Sequence, residues 1–144
     1  MKEFVTIKEN SSAQITEKKS KFIANLFYVE SIKEAEEIIE KTKKKYFDAK
    51  HNCIAYRVIE DENIIEKFSD DGEPSGTAGA PMLNILQKNN LVNVLIIVTR
   101  YFGGILLGTG GLVKAYSNSL LLALENTSKV TKCMGEELEI SLEY

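Results

Sequence analysis

The chain of 144 residues, 44% hydrophobic and 27% charged, is long enough for one globular domain with its own core. Its net charge of −3 rules out a global pull toward nucleic acid, so any such contact has to come from a local patch. Cys53 and Cys133, 80 positions apart, match neither a metal motif nor a disulfide framework and are expected as reduced, partly buried thiols.

In chain order, Phe4–Lys8 alternates and predicts a first strand. The polar stretch Asn10–Gln14 reads as a loop, and the basic KKSK at Lys18–Lys21 leads into a strand over Phe22–Val29. Ser31 and Glu34 have the spacing of a capping box. Ile32, Ala35, Ile38, Ile39 and Tyr46 then share one helical face, opposite a face of Lys and Glu. The tail KTKKKYFDAK carries five lysines in ten residues, suited to a helix C-terminus. His51–Ile59 and Ile64–Phe68 form a hairpin about the turn Glu60–Asn63. Met82–Gln87 and its flanks predict a helix closed by Asn89–Asn90. Val94–Val98, VLIIV, lacks polar alternation and predicts a central strand buried on both faces. Leu112–Leu124 predicts a helix with Leu112, Tyr116, Leu120 and Leu124 aligned, and Glu139–Tyr144 alternates like a strand. A weak boundary falls at Thr131–Gly135, after which GEELEISLEY holds four glutamates and no base. This order predicts an α+β fold with helices over one sheet. The start MKEFVTIKENSS lacks an apolar signal segment, and no apolar run exceeds five residues, so a soluble, cytoplasmic protein is expected.

Eight of the nine glycines lie from Gly72 to Gly111, in two loops that each open a helix. The first, SDDGEPSGTAGAP, carries Asp70, Asp71 and Glu73 beside Ser75, Gly76 and Thr77. Its carboxylates could hold a cation or act as acid and base, but calcium-loop spacing is absent, and Asp70 or Ser75 can instead cap the next helix. The second, TRYFGGILLGTGG, joins the buried strand to a helix through Gly103, Gly104, Gly108, Thr109, Gly110 and Gly111. Free amides at a helix start suit an anion. Thr109 stands where a P-loop needs lysine, however, and Val113 where a dinucleotide fingerprint needs a small residue. The competing reading is architectural: glycine for positive φ and close packing. Thr99, Arg100 and Tyr101 leave the central strand together. Arg100 can meet a phosphate, joined by Lys114, while Tyr101 or Phe102 stacks on a base; the alternative is an internal pair of Arg100 with Asp71 or Glu73. His51 can form a dyad only with Cys53 or Cys133, and a polar strand-edge histidine is the simpler reading. Lys41–Lys45 reads as a solvated helix end or, with Lys18, Lys19 and Lys21, as an RNA-facing patch.

SDDGEPSGTAGAP together with VTRYFGGILLGTGGLVKAYSNSL resembles the signature of the Impact family, whose bacterial members are called YigZ-like. The likeness runs from KKSKFIA through HNCIAYR to the last helix. It carries Asp71, Gly72, Glu73, Pro74, Ser75, Gly76, Thr77, Ala78 and Gly79, then Thr99, Arg100, Tyr101, Gly103, Gly104, Gly108, Gly110, Gly111 and Tyr116. The resemblance implies a fold like domain 2 of ribosomal protein S5, with a left-handed β-α-β crossover on a mixed sheet and helices packed on one face. It implies, for eukaryotic relatives, a translation regulator that binds a ribosome-associated activator of a starvation kinase, and for bacterial ones ribosome or nucleic-acid binding. Members usually continue into a ferredoxin-like domain. Residues 1–133 are therefore expected as the Impact-like domain, and 134–144 as the first strand of a truncated second one.

The function expected first is a non-catalytic binding or regulatory protein linked to translation, contacting ribosome or RNA through the glycine-rich face with Arg100 and Lys114. An enzyme or binder acting on a small phosphorylated ligand, and a protein–protein adaptor, are the alternatives. No cofactor, metal or catalytic residue is expected.

Overall fold

A computed structural model describes residues 2–134 and 139–143. In chain order the elements are β1 (Lys2–Ile7), β2 (Ser11–Glu17), β3 (Ser20–Tyr28), α1 (Ile32–Lys45), β4 (His51–Glu60), β5 (Asn63–Ser69), α2 (Gly79–Lys88), β6 (Val94–Tyr101), α3 (Gly108–Glu125), β7 (Lys129–Met134) and β8 (Glu139–Glu143). They build a five-stranded sheet in the order β2-β3-β6-β4-β5 and a three-stranded sheet in the order β1-β7-β8.

The α+β class expected from the sequence is what the chain adopts, but the sheet differs in two respects. Every neighbouring pair of strands is antiparallel, where a mixed sheet was expected; one parallel bridge joins Val5 to Leu91 outside the ladders. The reason is how the crossovers interleave. β3 and β4 run the same way, joined through α1, with β6 inserted antiparallel between them. β5 and β6 are likewise joined through α2, with β4 between them. The helices also cover both faces of the sheet rather than one. Phe22, Ala24, Leu26, Ile96 and Val98 face Met82, Leu86, Leu112, Tyr116 and Leu120 of α2 and α3. Leu95, Ile97, Ile54, Tyr56 and Val58 face Ala35 and Ile39 of α1. β6 is apolar on both sides, as VLIIV foretells, and each side requires its own cover.

β2 occupies the stretch expected as a loop. Its pattern is weak: Ala13 and Ile15 turn to the core, while Ser12, Gln14 and Thr16 stay exposed. It pairs with β3 residue by residue from Ser11↔Leu26 to Glu17↔Ser20. The turn between them is Lys18–Lys19, at φ +45° and +67°, and Asp61–Glu62 at +50° and +65° makes the same kind of turn between β4 and β5. Neither pair contains the glycine that usually advertises such a hairpin.

α1 begins as its sequence indicates. Ser31 Oγ accepts from Glu34 N at 3.0 Å, while the Glu34 carboxylate reaches one residue further back than a standard capping box, to Glu30 N at 2.7 Å. α2 ends at Asn89, and Asn90 takes the left-handed conformation at φ +54°. α3 starts four residues earlier than the leucine pattern indicates, because Gly108–Gly111 form its first turn. The described part of Thr131–Gly135 lies inside β7, against β1, and β8 pairs on the other side of β7. No helix among the described residues is long and apolar enough to cross a membrane.

Ile96 sits fully buried in the central strand, whereas Ile64 on the edge strand β5 is 48% exposed. Ile96→Ala is expected to cost about 2–5 kcal/mol in urea unfolding and Ile64→Ala less than about 0.5 kcal/mol.

Candidate binding site

Three strand ends meet at one end of the five-stranded sheet. Arg100, near the end of β6, is paired with Phe22 near the start of β3 on one side and with His51 at the start of β4 on the other. Both glycine loops close over this end.

The first loop is organised by two aspartates whose oxygens are spent on backbone amides. Asp70 Oδ1 accepts from Ala78 N at 3.1 Å and Gly79 N at 2.8 Å, and its Oδ2 accepts from Gly76 N at 3.0 Å. It thereby caps α2, whose adjoining residue Ala78 supplies no side-chain cap. Asp71, at φ +42°, accepts from Asn52 N at 2.7 Å, and its carbonyl lies 2.7 Å from His51 Nδ1. Thr77 Oγ1 donates to Pro74 O at 2.6 Å, a bond internal to the turn. Gly76 and Ser75 are exposed at its crest.

Glu73 turns inward. Its two oxygens each lie 2.8 Å from Arg100 Nη1, in an ion pair with both partners almost completely buried. The Tyr116 hydroxyl of α3 donates to Glu73 Oε2, and His51 Nε2 lies 3.5 Å from Oε1. The Arg100 guanidinium sits 5.7 Å from the Phe22 ring centroid and 5.4 Å from that of Phe102, and its Nη2 donates to Ser20 Oγ at 3.4 Å. Of the two roles open to Arg100 in the sequence, the structure shows the internal pair. Thr99 is also occupied, donating to Asn52 Oδ1 at 2.6 Å. Cys53 completes the cluster, its thiol reaching Asp70 O at 3.1 Å and the Tyr116 hydroxyl at 3.4 Å. Burial pushes both the Cys53 thiol and the Tyr116 phenol far up from their ordinary ranges, so each stays protonated. His51 and Cys53 have separate partners, and the thiol is not an activated nucleophile.

The second loop is held by backbone contact. Gly103 N donates to Ser20 Oγ at 3.2 Å, and a Cβ on Gly103 would stand 2.0 Å from Lys19 O. Gly104 at φ +90° and Gly108 at φ +78° need the left-handed region. Between them Ile105 and Leu106 are exposed, Leu106 at 80%, as is Phe102 just before Gly103. Gly108, Thr109 and Gly110 open α3 toward solvent, and the first turn has neither a side-chain cap nor an acidic residue. Gly111 and the exposed Lys114 line a cleft of about 240 Å³ with Glu17, Lys18, Leu107 and Asn118. Tyr101 points to the opposite face of the sheet, its hydroxyl on Asp48 at 2.8 Å.

The fifteen residues singled out in the sequence therefore divide. Asp71, Glu73, Thr77, Thr99 and Arg100 build the framework, with Gly103 as its point of closest approach. Ser75, Gly76, Gly104, Gly108, Thr109, Gly110 and Lys114 are exposed around it. Tyr101 and Gly111 are partly covered. Sequence reasoning missed His51 and Tyr116 as partners of Glu73. No local signal marks the pairing, since His51 opens β4 while Tyr116 is the ninth residue of α3.

The interleaved antiparallel sheet and two loops bound by a buried Glu–Arg pair define an α+β domain, and its sequence assigns it. The Impact N-terminal domain family model matches residues 18–124, and the chain belongs to that family. It is 45% identical over 141 residues to the IMPACT family member YvyE of Bacillus subtilis (strain 168), covering 98% of this chain and 64% of that protein. It is similar to a crystal structure described as that of a hypothetical protein, with TM-score 0.85 and 38% identity over 92% of this chain and 65% of the other. It is also similar to Yih1, described as a two-domain translational regulator, with TM-score 0.50 and 25% identity over 83% of this chain and 46% of the other. The chain thus spans less than two thirds of the length of the bacterial relatives it matches.

Glu73→Gln leaves a buried guanidinium short of its counter-charge and is expected to cost about 3–5 kcal/mol in chemical denaturation, against about 1 kcal/mol for Tyr116→Phe. A thiol-specific reagent is expected to modify the partly buried Cys133 in the native protein faster than Cys53, which it reaches only on unfolding. Prompt reaction of Cys53 at native pH would contradict the buried network.

Proposed function

We propose that the chain is a cytoplasmic, non-catalytic binding domain acting in translational regulation, and that it contacts the ribosome or RNA through the glycine-loop end of its sheet. Membership of the Impact family and likeness to a translational regulator support the link to translation. We read the fold as similar to domain 2 of ribosomal protein S5, supported by the β-α-β crossovers of the antiparallel sheet. We also propose residues 1–133 as the Impact domain, with 134–144 leading into a second one, supported by the greater length of the relatives.

One observation carries the reading of the site. The polar groups a small-molecule enzyme would use are buried and occupied by internal partners: Glu73 and Arg100 by each other, Thr99 by Asn52 and Cys53 by Tyr116. What the same framework presents outward is broad: the uncapped start of α3, Lys18 and Lys114 across a cleft, and the apolar tip Ile105–Leu106. That is a surface for a macromolecule with phosphates, met by amides and lysines. The apolar tip favours a second reading, a protein partner in translation control, because exposed leucine and isoleucine at a loop crest suit a protein groove better than a phosphate backbone.

Co-sedimentation with ribosomes separates the two readings. Contact through phosphates predicts binding that weakens from low to moderate salt and is lost in Lys18→Glu/Lys114→Glu, with Leu106→Ser near wild type. A protein contact predicts the reverse ranking. Wild-type protein remaining in the supernatant at low salt would overturn the ribosome reading.

A further inference from the structure

On the opposite face of the sheet from the glycine cleft, α1 packs against β4 and β6. Among the described residues the edge strand β2 has no helix packed over it on that side, and α1 flanks β3 at Asn25 and Phe27. The uncovered strip is set by register. Thr16 lies opposite Lys21, Gln14 opposite Ile23, and Ser12 opposite Asn25, all on the face that continues into Phe27. Along its edge α1 contributes Ile38, Lys41, Thr42 and Lys45, one stripe at helical spacing. Between stripe and sheet lies a cavity of about 270 Å³, with Asn25, Phe27 and Tyr46 completing its walls. Tyr46 continues it toward the sheet end by an edge-on contact with Tyr101 at 6.5 Å, and Lys21 Nζ lies 5.7 Å above the Tyr101 ring.

We infer that this groove binds single-stranded nucleic acid, with Lys21, Lys41 and Lys45 on phosphates and Tyr46, Tyr101 and Phe27 as the stacking surfaces. The inference rests on the reading of the protein as one that acts in translation, but it concerns a different surface from the glycine loops.

Three features select this occupant. The protein carries a net charge of −3, yet the groove lining holds two lysines, Lys41 and Lys45, and no carboxylate, with a third lysine, Lys21, over the Tyr101 ring beyond it; Asp48, beside that ring, is tied to the Tyr101 hydroxyl. The floor on β3 runs from Lys21 through Ile23 and Asn25 to Phe27, about 20 Å of strand, and the rings of Tyr101 and Tyr46 and the lysines of α1 flank it. Finally, the floor is β3, hydrogen-bonded to β2 on one side and to β6 on the other. An extended peptide cannot add to it as a strand, since that mode needs a free edge. Recognition has to come from side chains, and those present are suited to stacking and to phosphate. The side chains of Asn25 and Gln14, without hydrogen bonds among the described residues, are available to base edges.

The test is fluorescence anisotropy with a labelled single-stranded RNA of about ten nucleotides, titrated at several salt concentrations. Lys41→Gln/Lys45→Gln is expected to weaken binding about ten-fold and to reduce the slope of log affinity against log salt by about 1.4, two single-strand phosphate contacts. Tyr101→Leu is expected to weaken binding about ten-fold with the slope unchanged, as loss of stacking requires. The charge-matched control Lys33→Gln/Lys43→Gln, on other faces of α1, is expected to stay near wild type, and Lys114→Glu is measured beside it. Equal losses in the groove and control variants would overturn the proposal in favour of diffuse electrostatics, and loss confined to Lys114→Glu would move the RNA site to the glycine cleft. Absence of RNA binding by folded wild type, or displacement of the RNA by a poly-glutamate peptide at equal concentration, would overturn it as well, the latter in favour of an acidic protein partner. Ribosome binding lost in the Lys18/Lys114 variant, together with RNA affinity unchanged in the groove variants, would leave the translation reading standing while this one falls.

Discussion

The carboxylate of Glu73 is the joint on which this end of the molecule depends. It comes from a loop with little regular structure, yet it is bonded to β6 through Arg100, faces β4 through His51 and is bonded to α3 through Tyr116. Removing a carboxylate and a guanidinium from water is costly, and such a pair adds little net stability compared with apolar residues of the same volume. What it supplies is position. A loop of glycine, proline and serine has many conformations of similar energy, and a charge that is tolerated only against its partner selects one of them.

The remaining constraints serve the same placement. Asp70 takes three amide bonds from the residues that follow it, so the loop folds back on its first acid and delivers α2 in a fixed direction. Ser20 accepts from both Arg100 and Gly103, which ties the start of β3 to the exit of β6. Gly103 lets that exit pass against the Lys18–Lys19 turn at a separation no side chain would permit. The glycines are therefore not equivalent. Gly103 and Gly79, where a Cβ would meet backbone within 3 Å, are required by close approach, whereas Gly76 and Gly110 face open space. Close approach thus accounts for Gly103 and Gly79, and not for Gly76 and Gly110.

Most of the fold was legible because burial leaves a pattern. β6 could be read from VLIIV, α1 from its capping residues and apolar face, and the β4–β5 hairpin from its flanking strands. β2 was not, because an edge strand with one apolar side of two small or medium residues hardly differs from a polar loop, and its turn uses lysines where glycine or asparagine would signal a hairpin. The second helix-bearing face was missed for a different reason. Periodicity says that a helix has an apolar side, not which side of a sheet it covers, and that choice follows from strand order, which no local window contains. For the site, the residue types were legible but not their direction. Glu73 and Asp71 stand two apart in one acidic loop, and only the tertiary fold turns one into a buried counter-ion and the other into a ligand for the backbone of β4.

The interleaved topology also explains why the molecule has two dissimilar surfaces. Placing β6 between β3 and β4, and β4 between β5 and β6, puts the two most apolar strands side by side in the sheet. A single helix, α1, suffices to cover them on one side, since Leu95, Ile97, Ile54 and Val58 lie within its reach. On the other side the apolar area extends over β3 to β2, and both α2 and α3 are needed. On the α1 side β2 carries only polar residues, Ser12, Gln14 and Thr16, while on β3 Lys21 is exposed and Ile23 and Phe27 stay half-buried. The groove beside α1 is thus a consequence of how few helices the strand order requires, and its lysines and aromatic rings are what distinguish a usable surface from a merely solvated one.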